Sequence, residues 1–394
     1  MKKRIVALFM IMILGLTCLT ACGDKDDEKD SGKKKKSAKS YESVYDIVDA
    51  LQKFEKGTVI LTIDADAGEQ GHVNGTINAI TDGKGNFKIG ISADVNTKDQ
   101  KMNMSADDVI IIKDKMAYIN LAEIVKVAGA AGGAEVADMF ANMNLGYFAV
   151  PLPDDLDIAE LMSVITGFAD GSSDFLKAAL KDAEVTGEKG DFSIKFTNAQ
   201  SYKTFLSATA DYMEKKTPDI EKAINNNSLD KIDLNAYVKK LLDYYGEDIN
   251  ILASAAGIEQ AQIDALINEI KSQDLNAAVK DELEGEIGNA DEIKGSLTEA
   301  IGKIRKAAED LTDEQMKDQN LEMTVKATDT GFKIKGTALL KDDGNEVKAD
   351  YSIRISDDVS SISAPSNITK LRDFKDVLAS LAPMLGGLMN GMDD

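Results

Sequence analysis

Residues 58–94 read TVILTIDADAGEQGHVNGTINAITDGKGNFKIGISAD, and the order of side chains in this stretch decides the fold. Val59, Leu61, Ile63 and Ala65 alternate with Thr58, Thr62, Asp64 and Asp66. Val73, Gly75, Ile77 and Ala79 then alternate with His72, Asn74, Thr76 and Asn78, and Phe87, Ile89, Ile91 and Ala93 with Lys88, Ser92 and Asp94. Successive side chains on a strand point to opposite faces, so a period of two puts one set in a core and the other in water. Turn-forming residues at Gly68-Glu69 and from Asp82 to Asn86 separate the three runs. The pattern predicts an antiparallel meander with one buried face.

The alternation extends in both directions. Ser43 to Phe54 is an amphipathic helix with Val44, Ile47, Val48 and Leu51 on one face. Met102 to Asp107 and Val109 to Lys113 continue the strand series, and Lys113-Asp114-Lys115 turns it into Met116 to Leu121. Near the end of the chain the pattern returns. Leu321, Met323, Val325 and Ala327 form one strand, Phe332, Ile334, Gly336 and Ala338 a second. Val347, Ala349, Tyr351, Ile353 and Ile355 form a third, after a turn at Asp342 to Asn345.

Between the two sets the period is helical. Leu156 to Phe168 and Phe175 to Leu180 are helices, followed by a hairpin from Val185 to Phe196. Tyr202 to Ile224 and a helical series from Ile232 to Leu311 come next, punctuated by capping signals at Ser201, Thr217-Pro218, Ser228 and Asp291. The expected fold is α+β: a curved, half-barrel-like antiparallel sheet covered by helices, with a long helical insertion at about 199–316. On this reading residues 41–394 form a single domain in which the late strands complete the early sheet. The alternative is two domains, with Tyr202 to Leu311 folding as a separate bundle.

The amino terminus carries an address. Lys2, Lys3 and Arg4 precede an apolar run from Ile5 to Leu19, a stretch too short to span a hydrocarbon core of about 30 Å. Leu19-Thr20-Ala21-Cys22 follows, and it matches the lipobox of bacterial lipoproteins. That resemblance implies a signal peptide over 1–21, cleavage between Ala21 and Cys22, diacylglycerol on the Cys22 thiol and often a fatty acyl chain such as palmitate on the new amino group. One acyl chain anchors only marginally, whereas two or more hold stably. The implied location is the extracytoplasmic face of the cell membrane, with the membrane as partner through the lipid. Residues 22–40 are then the lipidated cysteine and a charged tether, GDKDDEKDSGKKKKSAKS after Cys22, with no aromatic or branched apolar residue to bury. As a flexible coil it reaches about 25 Å. Lys33 to Lys36 are either a contact for anionic headgroups or part of a solvated spacer.

Composition narrows the chemistry. Without Lys2, Lys3 and Arg4 the chain keeps 43 of its 46 basic residues against 68 acidic ones, a formal charge of −25. Nucleic acid is not an expected partner, because phosphate contacts need clustered cations. Cys18 and Cys22 are the only cysteines and His72 the only histidine, which removes disulfides, thiol nucleophiles and multi-histidine metal centres from the mature chain. His72 sits on the polar side of its strand, where a solvated histidine is expected. No GxSxG, P-loop or GxGxxG motif occurs, and Gly83 and Gly85 flank a hairpin turn. DKDDEKD lacks the glycine and closing glutamate of a calcium loop. No metal, cofactor or catalytic residue is assigned. The absence of Trp argues against a sugar-stacking cleft, although ten Tyr remain.

A lipobox, a charged tether, a short helix, alternating strands with inserted helices and the late run Ile362-Ser363-Ala364-Pro365 together resemble the LolA and LprG–LppX type of envelope lipoproteins. The resemblance covers about 41–198 and 319–370. It implies an unclosed barrel whose concave apolar face is covered by helices and, in several members, holds lipids or acyl chains. Leu61, Ile63, Ile77, Phe87, Ile89, Val325 and Ile334 would then line a ligand.

Two further stretches bear on a ligand. Val125 to Val136 is rich in small residues, with Met139, Phe140, Met143 and Leu145 after it, and is either a lipid-adaptable cover or a close-packed helix with a loose turn. Leu371, Phe374, Leu378, Leu381, Leu385, Leu388 and Met392 recur at helical spacing, interrupted near Pro383 and Gly386-Gly387.

Three functions are compatible with these features. The first is a non-enzymatic lipoprotein that binds or carries a lipid or other amphiphile in the sheet's concavity. The second is a structural or interaction protein of the envelope with a self-filled core, and the third a solute-binding receptor. The last needs two βαβ lobes, against which the alternating strands argue. Cys22→Ala is expected to abolish metabolic labelling by a fatty-acid probe and to leave the precursor unprocessed or released. Labelling that persists in this variant would refute the anchor.

Overall fold

A computed structural model describes residues 41–51, 56–66, 68, 71–97, 101–130, 140, 143–156, 172–226, 232–255, 257–276, 290–316, 320–342 and 345–375. The signal peptide, Cys22, the tether, most of the Leu156–Phe168 and Ala131–Met139 stretches, and the seam from Leu378 to Met392 lie outside the described residues.

The fold is α+β, with twelve strands in one open, mostly antiparallel sheet. The early strands are β1 (Gly57–Asp66), β2 (Gly71–Thr81), β3 (Phe87–Thr97), β4 (Lys101–Lys113), β5 (Met116–Asn120) and β6 (Tyr147–Pro151). The hairpin β7 (Glu184–Glu188) and β8 (Asp191–Phe196) follows, and β9 (Asn320–Thr328), β10 (Gly331–Asp342), β11 (Asn345–Ser356) and β12 (Ile368–Thr369) close the series. The order across the sheet is β12-β6-β5-β4-β3-β2-β1-β11-β10-β9-β8-β7. The late strands do complete the early sheet, because β1 pairs antiparallel with β11 from Thr58↔Ser356 to Asp66↔Lys348.

The described helices are α1 (Val44–Leu51), α2 (Leu121–Ala130), α3 (Ser172–Ala179), α4 (Ala199–Asn226), α5 (Leu234–Ala255), α6 (Gln260–Ser272), α7 (Ala290–Asp310) and α8 (Asp313–Met316). The helical segment 199–310 stands between β8 and β9, which pair with each other, Phe196 opposite Leu321. It is an insertion in a hairpin.

Contacts group the chain into two compact units. The first spans residues up to Asp107, Asp157–Asn227 and Gly288–Ile362, and so holds β1–β3, β7–β11, α1, α3, α4, α7 and α8. Its core joins the sheet to Val44 and Ile47 of α1, Phe175 and Ala179 of α3, and Tyr202, Phe205 and Tyr212 of α4. A second small cluster packs α4 on α7 through Leu206, Ala210 and Met213 against Ile301, Ile304 and Ala308.

The second unit spans Asp108–Leu156, Ser228–Ile287 and Ser363–Asp394, with α2, α5, α6, β5, β6 and β12. There Phe148 stacks on Tyr245 at 5.7 Å, and the Tyr245 hydroxyl donates to the Ala149 carbonyl. Burial pushes that phenol's pKa up to about 12. The buried Asp248 accepts from the Leu371 amide at 3.0 Å and from Arg372 Nε at 2.9 Å.

Several local expectations change. Met102–Asp107 and Val109–Lys113 are one continuous strand of 13 residues. Tyr147–Pro151 is a strand that alternation did not reveal, being a short apolar run ending in proline. Ser201 and Thr217-Pro218 do not end helices. α4 runs through both, with Asn198 Oδ1 accepting the Ser201 amide at 2.9 Å at its start. Thr217 Oγ1 donates to the Met213 carbonyl at 3.0 Å, one turn back, just before the proline whose missing N–H breaks the helical ladder. Packing of α4 against both α7 and the sheet outweighs that local cost.

Gly336 lies opposite Tyr351 on the next strand, and the Tyr351 ring covers the place where a Cβ would stand. Tyr351 is buried, so the ring has nowhere to retreat. Gly336→Ala is expected to lower unfolding stability in urea by about 1–3 kcal/mol, as overpacked core sites do.

Candidate functional site

The cross-strand register assembles the proposed lining residues on one face. One row runs Phe192–Val325–Ile334–Ile353–Leu61–Ile77–Ile91, each residue the direct partner of the next. The neighbouring row runs Ile194–Met323–Gly336–Tyr351–Ile63–Gly75–Ala93. Ile89 stands opposite Ala79 and Phe87 opposite Thr81, on the same side of the sheet. All seven residues singled out in the sequence therefore share one apolar face.

They do not share one environment. Leu61, Val325 and Ile334 are buried in the core with α1, α3 and α4, and Ile63 packs against that core. Phe87 and Ile89 are half-buried. Ile77 is 42 % exposed and Val73 39 %, against 6 % for Leu61, the direct partner of Ile77. Along a single row, burial is lost between β1 and β2. The face remains apolar beyond that line, through Ile91 and Val95 on β3. Alternation in β4 puts Met102, Met104 and Ala106 on one side, each less exposed than Lys101, Asn103, Ser105 and Asp107 between them.

Gly75 makes a hollow in this open half. A Cβ placed there would meet only the Ser92 carbonyl oxygen, at 3.7 Å. Val73 and Ile77 stand two residues away on β2, and Ile63 and Ala93 face Gly75 across the sheet. The result is an apolar strip with a dent in it where Gly75 carries no side chain. Val73, Gly75, Ile91 and Val95 were not singled out as lining residues, although the same alternation marks their side.

Around Asp64 the opposite face is polar, and further along it carries Ile60 and the buried Ile80. His72 Nε2 lies 2.7 Å from Asp64 Oδ1, Asn74 donates to Asp64 Oδ2 at 3.3 Å, and the Thr62 and Thr76 hydroxyls are 3.2 Å apart. His72 is 43 % exposed at its side chain, so this is a cross-strand surface pair. Among the described residues no three His, Cys, Asp or Glu side chains are grouped to hold a metal ion. Nor, among them, is any helix long and apolar enough to cross a membrane.

A separate hollow of about 380 Å³ is lined by Asn198, Gln200, Lys203, Leu311, Thr312 and Asp313. Its walls are polar, and Asp313 already caps the first amide of α4 at Ala199, 2.9 Å away. It offers little to an apolar ligand.

No protein-family model, curated protein or solved structure matches this chain. The functional reading therefore rests on the sequence and on the geometry of the face.

The division of the face has a direct thermodynamic consequence. Ile334→Ala, in the covered half, is expected to cost about 2–5 kcal/mol in urea unfolding, the lost transfer energy plus a cavity. Ile77→Ala, in the open half, is expected to cost less than about 1 kcal/mol. Equal losses at both positions would mean that the two halves are packed alike.

Proposed function

We propose that this chain is a membrane-anchored, extracytoplasmic lipoprotein without enzymatic activity, and that it binds or carries a lipid or similar amphiphile on the apolar face of its sheet. The observation that carries this reading is the continuation of that face past its covering helices. Leu61 is sealed while its partner Ile77 is open, and the hollow at Gly75 lies beside them. Burying apolar surface is favourable by about 25 cal/mol per Å², so an uncovered strip of Val, Ile and Ala favours an apolar occupant. The lipobox at Leu19 to Cys22 supports delivery of the chain to a membrane surface, where amphiphiles are at hand. The resemblance to LolA and LprG–LppX lipoproteins supports the same reading.

A second reading, an envelope scaffold without ligand, is favoured by the other half of the face. There Leu61, Val325, Ile334 and Ile353 fill the core with the protein's own side chains.

The two readings separate on one variant. Gly75→Leu projects a side chain into the hollow, at a position where the backbone leaves space for a Cβ. In the mature chain carrying Cys22→Ser, titrated with a fluorescent acyl probe, this variant is expected to weaken binding at least tenfold while unfolding stability stays within about 1 kcal/mol of the parent. A parent that fails to bind the probe would overturn the carrier reading and leave the scaffold.

A further inference from the structure

We propose that the outer face of β9, β10 and β11 is a docking surface for the anionic phospholipid headgroups of the membrane, held by Lys326, Lys333, Lys335 and Arg354. This inference rests on the membrane anchor in the reading above and is independent of what the apolar face holds.

The register that lines up the apolar side of the sheet also lines up its reverse. Lys326 of β9 is the direct partner of Lys333 of β10, and Lys333 is the direct partner of Arg354 of β11. All three are exposed. Like charges directly opposite each other are destabilising, and here two such pairs follow one another across three strands. Lys335, also exposed, stands on the same side of β10 and faces Thr324 and Ser352. Neighbouring strands lie about 4.8 Å apart and residues two apart on a strand about 7 Å, so the four cations share an area of about 10 by 7 Å.

Acids answer only the margin of this group. Asp191 of β8 holds Lys326 at 2.7 Å, Glu322 holds Lys195 at 3.0 Å, and Asp350 takes the Thr337 hydroxyl and Lys348. Among the described residues no carboxylate lies within ion-pair distance of Lys333, Lys335 or Arg354. In a chain with 68 acidic residues against 46 basic ones, three adjacent unanswered cations are a local reversal of charge. At physiological ionic strength charges are screened over about 8 Å, so a headgroup at this surface is governed by the row and not by the net charge. The Arg354 fork can take two phosphate oxygens, the lysines act as point charges, and the hydroxyls of Thr324 and Ser352 add donors.

The place of the row fits a membrane as occupant. Tyr41, the first described residue, packs edge-on against Phe332, the neighbour of Lys333, with ring centroids 5.5 Å apart. A Cβ on Gly190, the neighbour of Asp191, would meet the Tyr41 ring at 3.5 Å. Residues 23–40 therefore join Cys22 to the fold at the ends of β8 and β10 where the row stands. A coil of that length reaches about 25 Å, which keeps this end of the sheet close to the headgroups.

The test measures partition of the mature chain carrying Cys22→Ser onto vesicles of phosphatidylcholine, with and without phosphatidylglycerol. The row variant carries Lys333→Gln, Lys335→Gln and Arg354→Gln. A helix-side variant of equal net charge carries Lys177→Gln, Lys222→Gln and Lys306→Gln. Each cation near an anionic surface raises partition about fivefold. The parent and the helix-side variant are expected to prefer the anionic vesicles at least tenfold, and the row variant to lose that preference. Its urea midpoint is expected not to fall, because two like-charge pairs are relieved. Lys335→Gln alone, which leaves those pairs in place, is expected to weaken partition about fivefold. No preference in the parent, a preference that survives in the row variant, or equal losses in the row and helix-side variants would overturn the docking surface. Release of the parent by inorganic phosphate, at an ionic strength where chloride leaves it bound, would overturn it in favour of a site for free anions. None of these outcomes bears on Cys22, which fatty-acid labelling tests separately.

Discussion

The pairing of β1 with β11 is the interaction on which the first unit depends. It joins residues 58–66 to 348–356, so strands from near the two ends of the described chain become neighbours in mid-sheet. The loss of chain entropy on bringing distant segments together grows only slowly with their separation, and apolar cross-strand contacts offset it. Val59↔Ile355, Leu61↔Ile353 and Ile63↔Tyr351 supply those contacts on the core side. On the outer side Asp64 stands directly opposite Asp350, an arrangement that repels. Each acid is answered by further side chains. Asp64 meets His72 and Asn74 of β2. The Thr337 hydroxyl, followed by Lys348, holds the Asp350 carboxyl below the usual carboxylate range. Side chains of β2 and β10, with Lys348 of β11 itself, thus offset part of that repulsion.

Once β1 and β11 are joined, the helical insertion becomes possible. Phe196 and Leu321 are partners in the β8–β9 pair, so the chain leaves the sheet and returns to it at one place. Within the first unit the insertion contributes α4 and α7, and α4 seals the sheet through Tyr202, Phe205 and Tyr212. Phe175 of α3 stacks on Tyr212 at 4.8 Å and lies 6.5 Å from Phe205, which joins the two helices, while Phe196 of β8 lies 5.3 Å from Phe205 and ties the cover to the sheet. Among the described residues the seal covers β8 to β1, and Ile77 and Val73 of β2 are exposed.

That limit is what gives the sheet a second character. A face that is apolar along its width is core where helices lie on it and exposed to solvent at Val73 and Ile77. The same row of side chains supplies both, and the change occurs across a single strand pair.

The fold class and the membership of the apolar face were legible in the sequence, because both follow from a period of two that is local to each strand. Leu61, Ile63, Ile77, Phe87, Ile89, Val325 and Ile334 could be put on one side before any strand partner was known. Strand β6 was not legible, since Tyr147–Pro151 does not alternate and pairs through its backbone with Met116–Asn120. Nor was the continuity of α4 through Pro218, where tertiary packing outweighs a local breaker. The open half of the face was legible only in part: Ile77, Phe87 and Ile89 were singled out, Val73, Gly75, Ile91 and Val95 were not, and exposure is not encoded in a local period. The sequence by itself determined which side chains point the same way, for that is dictated by backbone geometry over a few residues. Which of them are covered was decided only by the tertiary structure, because cover depends on where α1, α3 and α4 come to rest, and that is set by contacts between residues far apart in the chain.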